Sequence, residues 1–216
     1  MAATPTESPP DGEALARSRR LRLVGYAAWG LLVVAVAVAA LGYTRFGWFE
    51  PAGGIQAGLI GGSFTLVDQD GRTVTEKNFL GKPTAYFFGF TNCPDVCPTA
   101  LADMTARMAA LGDDANRLNV VFVSLDPERD TPQLLKTYLE SFDPRIVALT
   151  GTPAAVADMA KKFRVFWRKV GEGENYTLDH SIATYLMDPR GELLTLIDAR
   201  ESKEAAMEKI RRLLES

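Results

Sequence analysis

The sequence predicts an α/β domain, a sheet with helices on both faces, carried behind a single N-terminal transmembrane helix. Three observations lead there. From about residue 61 to the C-terminus, short apolar runs of strand length alternate with stretches of helical periodicity, ending in a hairpin and a last helix. One of those runs, Thr84 to Phe90, passes directly into a Cys-x-x-x-Cys-Pro sequence at Cys93, Cys97 and Pro98. Ahead of the domain, Leu23 to Tyr43 is a stretch of 21 residues without a formal charge.

At a rise of about 1.5 Å per residue that stretch reaches about 31 Å, enough for a bilayer core. Arg17, Arg19, Arg20 and Arg22 stand just before it. The positive-inside bias then holds residues 1–22 in the cytoplasm as a tail while the bulk of the chain crosses. Two signal-peptide readings compete. Ala35-Val36-Ala37 and Ala37-Val38-Ala39 look like cleavage sites, and Ser18-Arg19-Arg20 loosely resembles a twin-arginine signal, although Arg22 falls where an apolar residue is usual. The apolar run is longer than a typical signal core, so a retained anchor over residues 23–43 is expected. Glu7, Asp11 and Glu13 argue against a mitochondrial transit peptide, which is poor in acids. The expected placement is single-pass in a bacterial inner membrane, with the soluble domain on the periplasmic or extracytoplasmic side. Residues 44–60, with Gly47, Gly53, Gly54 and Gly58, read as a linker.

The remaining 61–216 have the size of one domain, large enough to bury a core without a disulfide staple. A net charge of −3 gives no electrostatic case for nucleic acid. Within the domain, Ser63 to Val67 alternates, with Phe64 and Leu66 on one face. Asp68-Gln69-Asp70-Gly71 is a turn and Arg72 to Thr75 returns as a hairpin. Thr84 to Phe90 reads as a buried strand. A helix from Pro98 to Leu111 follows, with Pro at the first helical position, an apolar stripe of Leu101, Met104, Met108 and Leu111, and Gly112 as its stop. Val120 to Leu125 is a second buried strand. Thr131-Pro132 opens a helix bearing Leu134, Leu135, Tyr138, Leu139 and Phe142. Ile146 to Leu149 is a third strand, and Thr152-Pro153 opens a helix with Val156, Met159 and Phe163. Val165 to Val170 reads as a short strand. Thr184 to Met187 and Leu193 to Ile197 flank the Asp188-Pro189-Arg190-Gly191 turn, and Ser202 caps a final helix with Met207, Ile210 and Leu214. A strand that ends in a cysteine motif at a helix start is the thioredoxin layout.

Cys93 and Cys97 are the only cysteines and His180 the only histidine in 216 residues. Two thiolates and an imidazole are a ligand set suited to copper, especially Cu(I). The same pair can cycle between dithiol and disulfide. A structural staple is the weaker reading, because so short a loop removes little unfolded-state entropy. The helix N-terminus carries partial positive charge, which favours the thiolate. His180 joins the pair only if the fold brings the Asp179-His180-Ser181 loop over the helix start; otherwise it is a surface histidine. Asp179 is a candidate to hold the imidazole, or else a solvated loop acid. Met104 and Met108 fall on the helix stripe and read as core.

Four ordered motifs are similar to those of the Sco/SenC family: Phe90-Thr91-Asn92-Cys93-Pro94-Asp95-Val96-Cys97-Pro98, Ser124-Leu125-Asp126-Pro127-Glu128-Arg129-Asp130-Thr131-Pro132, Asp179-His180-Ser181, and Tyr185-Leu186-Met187-Asp188-Pro189-Arg190-Gly191. The likeness runs from about residue 60 to the C-terminus. The resemblance implies a thioredoxin-like domain behind an uncleaved anchor, binding copper, as Cu(I) or Cu(II), through Cys93, Cys97 and His180. It implies a role in assembling the dinuclear copper centre of cytochrome c oxidase, on subunit II, with other copper carriers as further partners. The alternative is a thiol–disulfide reductase in which Cys93 and Cys97 cycle to keep the oxidase cysteines reduced. Ile182-Ala183-Thr184 stands where thioredoxins carry a cis-proline, which weighs against a general reductase. A peroxidase fits less well, since Phe90 stands where that class has threonine. The Asp126 to Asp130 loop reads equally as a helix cap with a turn or as part of a docking surface.

Overall fold

The computed structural model describes Tyr26, residues 29–34, 60–173 and 175–216. The chain divides into two compact units, Met1–Gly54 and Ile55–Ser216. In the first, Tyr26 and residues 29–34 are helical and exposed. The rest of the expected membrane helix, the tail before it and the linker after it (up to residue 59) lie outside the described residues. Among the described residues no helix is long and apolar enough to cross a membrane.

The second unit is built on a seven-stranded sheet. Its strands are β1 (Thr65–Asp68), β2 (Thr73–Thr75), β3 (Thr84–Gly89), β4 (Asn119–Ser124), β5 (Ile146–Thr150), β8 (Thr184–Met187) and β9 (Leu193–Ile197), in the spatial order β2-β1-β5-β4-β3-β8-β9. β3, β4 and β5 run parallel, and β1, β8 and β9 are antiparallel to their neighbours. The helices are α1 (Val96–Leu111), α2 (Pro132–Leu139), α3 (Pro153–Lys162) and α4 (Lys203–Leu214). A separate two-stranded ribbon, β6 (Trp167–Val170) with β7 (Thr177–His180), leaves the main sheet.

The central strands carry almost no polar side chains because both faces are covered. Every residue of β3 is buried. Phe87 packs on Phe122 of β4, which meets Tyr138 of α2. The alternate residues Tyr86 and Phe88 meet Phe163, just after α3, on the opposite face. Helices therefore lie on both faces, as the sequence pattern requires.

The predicted hairpins and the starts of α2, α3 and α4 agree with the structure. The Thr131, Thr152 and Ser202 side chains accept from the backbone N–H groups of Leu134, Ala155 and Ala205, and prolines occupy the first turns of α2 and α3. Two expectations are corrected. The cysteine helix starts at Val96, not Pro98, so Cys97 is helical. Pro98 is tolerated there because the first i→i−4 bond is Thr99 N–H to Asp95 O, and Pro98 precedes it. His180 ends strand β7 instead of lying in a loop. The short, polar Thr177-Leu178-Asp179-His180 run has too little apolar pattern to read as a strand.

Candidate metal centre

Cys97 continues the buried stripe of Leu101, Met104 and Met108 along α1, so its side chain points into the core and has no exposure. Cys93 precedes the helix in a turn closed by its own N–H on the Phe90 carbonyl, 3.3 Å, and is 7% exposed. Both are free thiols. Burial pushes the Cys97 thiol well above the usual range, more than the Phe90 backbone hydrogen bond lowers it, and the neighbouring Cys93 adds to the rise. Desolvation at this core position therefore dominates the Cys97 thiol.

His180 arrives on the ribbon. It pairs in register with Trp167. The ladder runs one residue further, through Ser181 N–H to Phe166 O at 2.9 Å and Phe166 N–H to the Ser181 hydroxyl at 3.1 Å. The His180 Nδ1 lies 2.8 Å from the Ser181 carbonyl oxygen. A carbonyl only accepts, so the proton sits on Nδ1 and the Nε2 lone pair is free. Nε2 faces Cys97 Sγ at 3.6 Å. Phe90 stands edge-on to the imidazole, with ring centroids 5.8 Å apart. Burial lowers the His180 pKa against the opposing effects of the Ser181 carbonyl and Asp179, which keeps the ring neutral and able to ligate.

The fold thus joins all three residues singled out in the sequence. One ligand atom from each of Cys93, Cys97 and His180 lies within 4.8 Å of the others. Imidazole and thiolate bonds of about 2.0–2.3 Å, as in zinc sites, place trigonal ligand atoms about 3.7 Å apart. The Cys97–His180 pair is already at that spacing. Neutral imidazole and two soft sulfurs, with no carboxylate among them, form a donor set for a soft, low-coordinate ion.

Asp179 does not hold the imidazole. Its carboxylate pairs across the ribbon with Arg168 at 2.9 Å, in the open, while a backbone carbonyl does the orienting. The loop after β4 has a structural task. Asp130, fully buried, accepts from the Thr91 N–H at 3.0 Å, the Thr91 hydroxyl and the Ser124 hydroxyl, tying the cysteine loop to the end of β4. Asp126 takes the Arg129 guanidinium and the Tyr176 hydroxyl. Arg129 also donates to the Tyr176 carbonyl at 2.9 Å and lies over the Tyr176 ring at 3.7 Å. Lys169 covers the same ring at 3.6 Å. This clamp fastens the ribbon that carries His180 to the loop that braces Cys93. Sequence reasoning missed Tyr176; an aromatic residue in the otherwise polar Gly171 to Thr177 stretch was the available signal.

A family model described as SCO1/SenC matches residues 52–215. The chain belongs to the SCO1/SenC family. Among relatives of this Sco protein, "Protein SCO2, mitochondrial" of Saccharomyces cerevisiae is 39% identical over 161 residues, covering 73% of this chain and 54% of its own length. The match therefore spans about half of that curated relative. The solved structure of Bradyrhizobium japonicum ScoI with copper bound is 44% identical, with a TM-score of 0.67, covering 71% of this chain and 99% of that one. Yeast Sco1 with copper bound is 39% identical, TM-score 0.67, covering 73% of this chain and 89% of that one. The Sco domain here is accordingly a mixed α/β, thioredoxin-like fold like theirs.

Proposed function

We propose that this Sco protein is a membrane-anchored copper chaperone that assists assembly of the dinuclear copper site of cytochrome c oxidase. Copper is its cargo, held by Cys93, Cys97 and His180. The observation that carries this reading is the 3.6 Å approach of His180 Nε2 to Cys97 Sγ, within a cluster of three ligand atoms spanning no more than 4.8 Å. A dithiol has no need of a neutral imidazole aimed at one of its sulfurs, whereas a thiolate-bound ion does. Three ligands leave copper coordinatively unsaturated, so an incoming thiolate from a recipient can bind before the donor lets go. The copper-bound relatives support the same choice of ion. Subunit II of the oxidase is the proposed recipient, and other copper carriers the proposed source.

The proposed organisation is a cytoplasmic tail 1–22, a transmembrane helix 23–43, a linker 44–60 and the copper-binding domain 61–216. This places the domain on the periplasmic side of a bacterial inner membrane. The uncharged run behind four arginines supports it.

The test is anaerobic Cu(I) titration of the reduced full chain in detergent. One equivalent should bind in wild type and none tightly in Cys97→Ala; a wild type that binds no copper would end the proposal. A second reading, thiol–disulfide reduction of the oxidase cysteines, draws on the closeness of the two free thiols. There Cys93 would attack a partner disulfide and Cys97 would resolve the mixed disulfide, leaving a Cys93–Cys97 disulfide and a reduced partner. The high Cys97 pKa makes Cys97 a poor attacker, so reduction of a disulfide substrate should survive His180→Ala but not Cys93→Ala.

A further inference from the structure

Gly89 is the last residue of β3, on the strand face that also carries Phe87. Its backbone is regular strand and lies outside the left-handed region, so conformation does not call for glycine there. Space does. A Cβ built on Gly89 would stand 2.7 Å from Cys97 Sγ, 2.9 Å from Phe122 and 3.2 Å from Phe87. The Cys97 sulfur thus occupies the room that a side chain at Gly89 would take. The neighbouring backbone is pinned, because the Gly89 carbonyl accepts from Leu125 N–H at 2.7 Å and Gly89 pairs with Ser124 of β4. Cys97 is pinned from the other side by α1, whose stripe it shares with Leu101, Met104 and Met108.

We propose that Gly89 is a positioning residue for the metal site: the missing side chain is the seat of Cys97 Sγ and sets the depth at which that sulfur meets His180 Nε2. The inference deepens the copper reading and rests on it for its consequence, but the seat itself is a property of the metal-free protein. An alanine at this position adds one methyl group at sub-van-der-Waals distance from the sulfur. The strand end is held against β4, where Gly89 pairs with Ser124 and its carbonyl accepts from Leu125 N–H. The sulfur must therefore shift, and its 3.6 Å spacing to Nε2 changes with it.

A double-mutant cycle on the reduced, metal-free full chain in detergent decides the point. Gly89→Ala is measured with Cys97 present and in a Cys97→Ala background, where the sulfur is gone but Phe122 remains. The expected result is a Tm loss at least twice as large with the sulfur present as without it. If Gly89→Ala folds only in the Cys97→Ala background, the seat is equally supported. Equal Tm losses in both backgrounds, or failure to fold in both, would place the conflict at Phe122 and overturn the proposal. Where Gly89→Ala folds with Cys97 in place, competition with a chromogenic Cu(I) chelator should show copper held at least tenfold more weakly than by wild type. Unchanged copper affinity in that variant overturns the positioning role. A wild type that binds no copper removes the copper reading instead, while the metal-free cycle still decides the seat.

Discussion

Cys97 Sγ and His180 Nε2 stand 3.6 Å apart although 83 positions separate them in the chain. The sulfur comes from the first turn of α1 and the nitrogen from the end of the β6–β7 ribbon. His180→Ala removes the only nitrogen donor and leaves two thiols. Copper affinity should fall by about 100-fold, at the upper end of what even indirect damage to a metal site costs. Chelator competition measures it, and an unchanged affinity would detach the imidazole from the site.

Copper binding should strengthen with pH. Burial holds the Cys97 thiol protonated well above its ordinary range, so the ion must displace that proton. Each proton released contributes up to about tenfold in apparent affinity per pH unit. His180 adds little to this slope at neutral pH, since its lowered pKa leaves it already deprotonated. Affinities measured between pH 6 and 8 should rise; a flat profile would mean that the buried sulfur is not a ligand.

Asp130→Ala should destabilise the domain by about 2–4 kcal/mol. It strands the Thr91 N–H and two hydroxyls around a buried hole. Asp130→Asn should cost less, because the amide oxygen still accepts from Thr91 N–H. Urea midpoints compare the two, and equal losses would contradict the hydrogen-bond account.

Tyr176→Phe removes one hydroxyl, the one that Asp126 accepts. The ring keeps its place under Arg129 and Lys169. A global loss of about 1 kcal/mol is expected. The sharper signature is local: amide hydrogen exchange along Thr177–His180 should accelerate more than in β3 or β4. Uniform acceleration would show that the clamp does not govern the ribbon.

Asp188 contributes to the acid arm of the stability curve. Burial alone would raise its pKa, but hydrogen bonds from Glu192 N–H, from the Arg190 guanidinium and from Arg190 N–H outweigh it and the net shift is downward. A carboxylate lowered in the folded state stabilises above its unfolded pKa, and that contribution is lost as pH falls from about 4 through the folded value. Asp188→Asn should lose about 1 kcal/mol at neutral pH. It should also flatten the decline of the urea midpoint below about pH 4. A mutant with the same acid slope as wild type would remove Asp188 from that role.

Composition and spacing alone determined the alternation of strands and helices, the caps at Thr131, Thr152 and Ser202, and the scarcity that singled out Cys93, Cys97 and His180. These are local properties: a hydroxyl before a proline, an apolar residue every third or fourth place, a ligand type that occurs once or twice. Tertiary structure decided everything that depends on who meets whom. It gave the orientation of His180 to the Ser181 carbonyl and not to Asp179, turned Asp126, Asp130 and Tyr176 into braces, and set the Cys97 sulfur over Gly89. It also reversed the expected effect on the Cys97 thiol, because the desolvation of a core position depends on packing from every side and no stretch of neighbours in sequence encodes it.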